Sequence, residues 1–150
     1  MYKNGEGTQK DMKKAFYWYE KSAEQGVPRA QFNIGVMYYL GAGAQKDLRK
    51  ALYSYEKSAE QGVPEAQYNI GVMYDLGEGT QKDLRKAFYW YEKSAEQGDP
   101  KAQFHIGVMY YRGEGTQKDL KKATYWIKKA DENGYEDAKK FWEAKELWKY

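Results

Sequence analysis

Apolar residues in this chain fall into two alternating patterns. In stretches such as 48–60, Leu48, Ala51, Leu52, Tyr55 and Ala59 recur at the spacing of one helix face, and Arg49, Tyr53, Glu56, Lys57 and Glu60 take the other. That pattern predicts an amphipathic helix with one core face and one solvated face. In stretches such as 28–40, Ala30, Ile34, Met37 and Tyr38 share one side, while Phe32, Val36, Tyr39 and Leu40 lie roughly opposite. A helix apolar nearly all round is either buried on several sides or leaves a sticky face exposed.

The two patterns alternate with a fixed period. The nine residues Ala30-Gln31-Phe32-Asn33-Ile34-Gly35-Val36-Met37-Tyr38 return as 66–74 and again as 102–110, 36 residues apart each time. Self-similarity at such a period is the mark of a repeat architecture. The units read as a half repeat at 1–26, full repeats at 27–62, 63–98 and 99–134, and a divergent tail at 135–150. Met1-Tyr2 aligns with Met37-Tyr38, so the chain is expected to open near the end of a helix whose earlier turns are absent.

Local signals place the ends of both helices. The first helix of each unit starts at Pro28, Pro64 or Pro100, since proline's fixed φ and missing N–H suit a first helical position. Asp99 is a good N-cap there; Val27 and Val63 are not. Gly41-Ala42-Gly43, Gly77-Glu78-Gly79 and Gly113-Glu114-Gly115 stop this helix. The second helix opens at Asp47, Asp83 or Asp119, whose carboxylates suit the free N–H groups and positive end of a helix. It closes at Gly62, Gly98 or Gly134. Short loops between helices predict antiparallel pairs, giving an all-α fold. In the tail, Ala138, Phe141, Trp142, Ala144 and Trp148 are expected to share one face of a C-terminal capping helix, with Lys139, Lys140, Glu143 and Glu146 on the other.

Composition narrows the function. Aromatics make up 17 % of the 150 residues, and 16 of them are Tyr. With a mean hydropathy of −1.03, these are apolar bodies with polar tips, suited to packing while still facing water. The net charge of +3 points to no particular partner, and the lack of Cys rules out disulfides and thiolate metal sites. No apolar run has the length of a membrane span, and Met1 to Gly7 contains no apolar signal-peptide core. The sequence does not name the compartment; the cytoplasm is the expectation.

The unit Ala30-x-x-x-Ile34-Gly35-x-x-Tyr38-x-x-Gly41-x-Gly43-x-x-x-Asp47-x-x-Lys50-Ala51, closing with Lys57-Ser58-Ala59-Glu60-Gln61-Gly62, closely resembles the Sel1-like repeat, a relative of the tetratricopeptide repeat. The resemblance covers residues 1–134. It implies a right-handed α-solenoid of stacked helix pairs, a role as an adaptor in protein–protein complexes, and a concave groove lined by the first helix of each repeat. Three departures stand out. The family's tryptophan in the second helix is kept as Trp18, Trp90 and Trp126 but is Ser54 in one repeat, which should leave a gap at the edge of the core. The residues after the paired glycines are Thr8, Ala44, Thr80 and Thr116, where the family usually has an apolar residue. The cysteine-rich, secreted branch of the family is excluded, since there is no Cys.

Mapping the related repeat's groove positions onto this chain gives rungs of Phe32, Tyr68 and Phe104; of Asn33, Asn69 and His105; of Val36, Val72 and Val108; and of Tyr39, Asp75 and Tyr111. Aromatics interleaved with amides suit an extended peptide or helix, the aromatics giving affinity and the Asn side chains clamping backbone amides. About half of the rung residues are expected to serve packing instead. Val36 and its equivalents are the ones expected in the core, and Tyr39, Asp75 and Tyr111 the ones expected free. Within the nine-residue stretch only the third and fourth places differ between copies, which marks Phe32, Tyr68, Phe104, Asn33, Asn69 and His105 as the recognition residues.

Other features carry less. His105 stands where other repeats have Asn, and no further ligands cluster at metal-site spacing, so no metal or cofactor is expected. Ser54-x-x-Lys57 matches a nucleophile motif by chance, since Ser replaces Trp in a repeated helix and neither companion motif follows. No nucleophile–base–orienter set is present, and no enzyme is expected. Basic clusters such as Lys46, Arg49, Lys50 and Lys82, Arg85, Lys86 recur at each second helix. Interleaved Asp47, Asp83 and Asp119 offset them, and no exposed aromatics accompany them for bases to stack on, which disfavours nucleic acid. The expected role is therefore a protein- or peptide-binding scaffold. The alternative is a structural array from recent duplication or consensus design, with no dedicated ligand. Met12, Ala15, Phe16 and Tyr19 form an apolar face that lacks a partner helix, and a second copy is the expected cover.

Overall fold

The computed structural model describes residues 6–150. Eight α-helices run α1 Glu6–Glu24, α2 Pro28–Leu40, α3 Leu48–Glu60, α4 Pro64–Leu76, α5 Leu84–Glu96, α6 Pro100–Arg112, α7 Leu120–Glu132 and α8 Glu136–Ala144, followed by a short 3-10 turn at Leu147–Lys149; the described residues contain no strand. Each helix packs on the one before and the one after it, so the core is a continuous row rather than one centre. That architecture is an α-solenoid.

The helix ends follow from the residues at them. Asp47 and Asp119 accept from the backbone N–H of Lys50 and Lys122 at 3.0 Å, and Asp83 from those of Arg85 and Lys86 at 3.1 Å. Asp99 caps α6 through the Ala102 N–H, whereas Val27 and Val63 donate no side-chain cap. Gly41, Gly77 and Gly113 close α2, α4 and α6 in the left-handed region and donate to the carbonyls of Met37, Met73 and Met109. The second glycine of each pair does something else. A Cβ on Gly79 would stand 2.6 Å from the Leu48 carbonyl oxygen, so this loop lies directly on the first turn of the preceding repeat's α3.

Burial follows the two hydrophobic patterns. Ala51, Leu52, Tyr55 and Ala59 are buried in α3, and Arg49, Tyr53, Lys57 and Glu60 are exposed. In α2, Ala30, Ile34 and Met37 are buried, Phe32, Val36 and Tyr39 half-buried, and Leu40 exposed. Four buried polar residues absent from the sequence expectations hold the helices together, the glutamines between neighbouring repeats and the serines within one. The Gln67 amide donates to the Ala59 carbonyl at 3.1 Å and accepts from Gln97 at 2.7 Å. Gln103 repeats this with Ala95 and Asn133, and the Ser58 and Ser94 hydroxyls donate to the carbonyls of Pro28 and Pro64 at 2.8 Å. A buried polar group so paired ties helix to helix without the cost of an orphaned donor.

Both ends depart from the sequence expectations. The helix α1 begins at Glu6, ahead of Asp11, which holds the register of the helix-opening Asp47 and Asp83, and runs through Gly7, the place of Gly43 and Gly79. In the full repeats that loop rests on a preceding second helix, Gly43 on Met12, Gly79 on Leu48 and Gly115 on Leu84. The alignment of Met1-Tyr2 with a helix end lies outside the described residues. Of the face left open on α1, Met12 and Tyr19 are exposed, while Phe16 packs edge-on to Tyr38 with centroids 5.3 Å apart. At the other end the capping helix stops at Ala144, and Glu146 turns the chain at φ 52°. That turn drives Leu147 into full burial and leaves Trp148 exposed, the reverse of the face expected for Trp148.

Candidate functional site

The first helices α2, α4 and α6, with α8 after them, present one continuous face, and its compartments differ from repeat to repeat. Between α2 and α4 lies a recess of about 310 Å³ lined by Val36, Tyr39, Leu40, Tyr55, Tyr68, Asn69, Val72 and Met73. Its floor is Met73 and Tyr55, both buried; its rim is Leu40, which is 66 % exposed. Burial pushes the Tyr55 hydroxyl up to about 12, with Asn69 pulling the other way. The wall is therefore neutral and mostly apolar, with one amide to fix a ligand's polar group.

The equivalent space between α4 and α6 is narrower, because aromatic rings occupy part of it from within. The His105 ring stacks on Tyr91 at 5.0 Å and 10°, and its Nε2 shares a 3.3 Å hydrogen bond with the Tyr68 hydroxyl. Tyr91 donates to Asp75 at 3.3 Å. Burial holds the His105 imidazole below its ordinary 6.5, against the opposite pull of Asp75 and Asp99, and pushes the Tyr68 hydroxyl up to about 12. Burial and then the Asp75 charge raise Tyr91 far above the usual phenol range. Beyond it, α8 covers α6: Phe104 packs on Tyr135 and Phe141 with centroids 5.1 and 5.8 Å apart, and Tyr111 meets Phe141 at 5.4 Å. A smaller recess of about 270 Å³ remains there, bounded by Asp75, His105, Val108, Arg112 and Phe141.

The residues marked by sequence are thus brought onto one face but are not equally available. Tyr39, Tyr68 and Asn69 meet in the apolar recess, and Val36 and Val72 line it, half-buried, instead of lying in the core. Phe32 packs on Tyr55 with centroids 5.8 Å apart, and Asn33 is half-buried. Phe104 and His105 spend much of their surface inside the protein. Tyr39, Asp75 and Tyr111, expected to be free, all have partners: Tyr39 donates to Glu78 at 2.8 Å, Asp75 accepts from Tyr91, and Tyr111 packs on Phe141. The Glu78 hydrogen bond is also the first cause of the raised Tyr39 hydroxyl.

The variation at the third and fourth places has an internal counterpart. The aromatic of one repeat reaches the fourth place of the next: Tyr68 meets His105, and Phe104 meets Phe141, which stands in the corresponding register of α8. Where the third place gains a hydroxyl, in Tyr68, the next fourth place is an imidazole that bonds it; Phe104 is followed by another phenyl ring in α8, and Phe32 by Asn69. Leu40 is the site residue the rungs omitted. The all-round apolar pattern of 28–40 was its only signal.

Within the basic clusters Lys46, Arg49, Lys82 and Arg85 are exposed, and one lysine of each is engaged by an aromatic ring. Lys50, Lys86 and Lys122 each lie over a tyrosine ring of their own repeat, Tyr38, Tyr74 and Tyr110, at 5.5, 5.3 and 5.5 Å. Among the described residues no acidic, histidine or cysteine group is clustered to hold a metal ion, and no helix is long and apolar enough to cross a membrane.

Among solved structures, a Sel1 repeat protein from Oxalobacter formigenes is 39 % identical with a TM-score of 0.81, over 88 % of this chain and 54 % of its own. A protective antigen present in uropathogenic Escherichia coli strains, displaying an SLR fold, is 36 % identical with a TM-score of 0.84, over 89 % of this chain and 29 % of its own. Helicobacter pylori cysteine rich protein B is 28 % identical with a TM-score of 0.70, over 92 % of this chain and 99 % of its own. The chain spans about half the length of the first and less than a third of the second. A search of curated proteins finds no match. The family model described as Sel1 repeat matches residues 1–27, 28–63, 64–99 and 100–135, and with the stacked helix pairs and the glycine and glutamine contacts between them, this places the chain in the Sel1 repeat family.

Proposed function

We propose that this chain is a protein-binding scaffold that takes an extended peptide or a helix along the face of α2, α4 and α6, anchored in the recess between α2 and α4. Sel1 repeat proteins typically mediate protein–protein interaction and are generally scaffolds rather than enzymes. The observation that carries the finer reading is the recess itself: about 310 Å³, apolar, with exposed Leu40 at its rim and Asn69 in its wall. An aliphatic or aromatic anchor would fill it, and the amide would bond the partner's backbone beside that anchor. The neighbouring compartment, narrowed by His105 and by Phe141 of α8, then sets where the ligand must end or turn.

A display library of random peptides selected on this protein tests the reading. Selected peptides are expected to carry a large apolar anchor and to lose binding at least tenfold to a Leu40→Glu variant. Leu40 is exposed, so the variant should melt within about 0.5 kcal/mol of the parent. Peptides that bind both proteins equally would sink the assignment of the recess.

A further inference from the structure

A second cavity lies on the opposite side of α2, where the repeat pattern is broken. Position 54 carries Ser where the equivalent places 18, 90 and 126 carry Trp. Trp90 and Trp126 are half-buried and pack against the core, and Trp18 is 66 % exposed. At Ser54 the missing ring leaves a cavity of about 360 Å³ among α1, α2 and α3, its walls including Ala23, Gln31, Ile34, Tyr38, Tyr53 and Ser54. The walls have not collapsed inward. The residues lining it recur around Trp90 at the same register, Ala59 for Ala23, Ile70 for Ile34 and Tyr74 for Tyr38, so the protein itself shows what such a slot accommodates.

From this we infer that the cavity is a binding site for an indole ring, the tryptophan side chain of a partner polypeptide. The volume falls in the range of small-ligand sites; Ala23, Ile34, Tyr38 and Tyr53 supply apolar and aromatic wall, and the buried Gln31 and Ser54 add two polar groups. Glu20 and Glu24 stand on the α1 side of the rim and can accept the indole N–H. Lys50 and Lys57 stand on the α3 side, already held over Tyr38 and Tyr53 at 5.5 and 4.4 Å, and present cations to a ring's face. A rim with both signs of charge suits charged residues flanking a tryptophan, which a free ring lacks. The site is separate from the recess between α2 and α4 and does not depend on its role.

The test is a titration of the 15N-labelled protein with N-acetyltryptophanamide, with free indole and with the tripeptide Lys-Trp-Glu. Saturable shifts are expected at Ala23, Gln31, Ile34 and Ser54, with the tripeptide binding at least threefold more tightly than indole. Ser54→Trp should abolish them and raise the melting temperature by roughly 2–6 °C, as expected for a filled cavity. If that variant does not fold, Ser54→Met serves instead, its flexible chain occupying the same space. No saturable shift, shifts centred on Val36 and Val72, or shifts undiminished in a folded filled variant would each overturn the site. Equal affinity for indole and the tripeptide would overturn the polypeptide as its occupant.

Discussion

Replacing Gly71 by alanine sets two physical effects against each other. In a helix interior alanine is favoured over glycine by about 1 kcal/mol, so propensity alone predicts a more stable protein. The contact predicts the reverse. A Cβ at position 71 would lie 2.6, 2.7 and 3.0 Å from Cδ1, Cε1 and Cγ of Tyr91. That ring is 1 % exposed, stacked on His105, packed against Tyr68, and tied through its hydroxyl to Asp75. It cannot retreat without disturbing all three. Overpacking of this kind costs about 1–3 kcal/mol, with the upper half of that range expected for a ring so confined. Set against the propensity gain, the net loss is about 1–2 kcal/mol, or roughly 2–8 °C in melting temperature for a chain of this size. Urea denaturation followed by far-ultraviolet circular dichroism measures it. A Tyr91→Ala background supplies the control: with the ring gone, Gly71→Ala should stabilise by up to about 1 kcal/mol. Stabilisation of the parent protein by Gly71→Ala would refute the close approach and the argument built on it.

Other expectations follow from the same contacts. Gln67→Leu removes one of two donors to the Ala59 carbonyl, which keeps the Gly62 N–H, and should cost about 0.5–1.5 kcal/mol in the same denaturation experiment. His105, whose folded imidazole sits below its ordinary 6.5, should make stability fall as pH drops below about 6.5, because the unfolded chain takes up the proton first. His105→Asn, which restores the residue of the other repeats, should flatten that part of the stability–pH curve between pH 7 and 5; an unchanged slope would assign it to other groups.

The sequence by itself determined the period, the helix pairs and their caps, because those depend on neighbours within a turn or two. Proline at the first helical position, Asp at the N-cap and glycine at the C-cap act on backbone groups a few residues away, and the structure shows those hydrogen bonds. The gap at Ser54 was also legible, since the other repeats state what belongs there. Tertiary structure decided how the marked face divides. Variation at the third and fourth places looked like recognition from sequence, because a repeat read alone cannot show that Tyr68 reaches His105 37 residues away. The roles of Gln67 and Gly79 were hidden for the same reason, as each acts on the repeat before its own. The tail shows the limit from the other side: helical periodicity put Trp148 on the core face, and one left-handed residue, Glu146, rotated Leu147 into its place. Availability for binding is set by what the next helix covers, and that is a property of stacking rather than of any single unit.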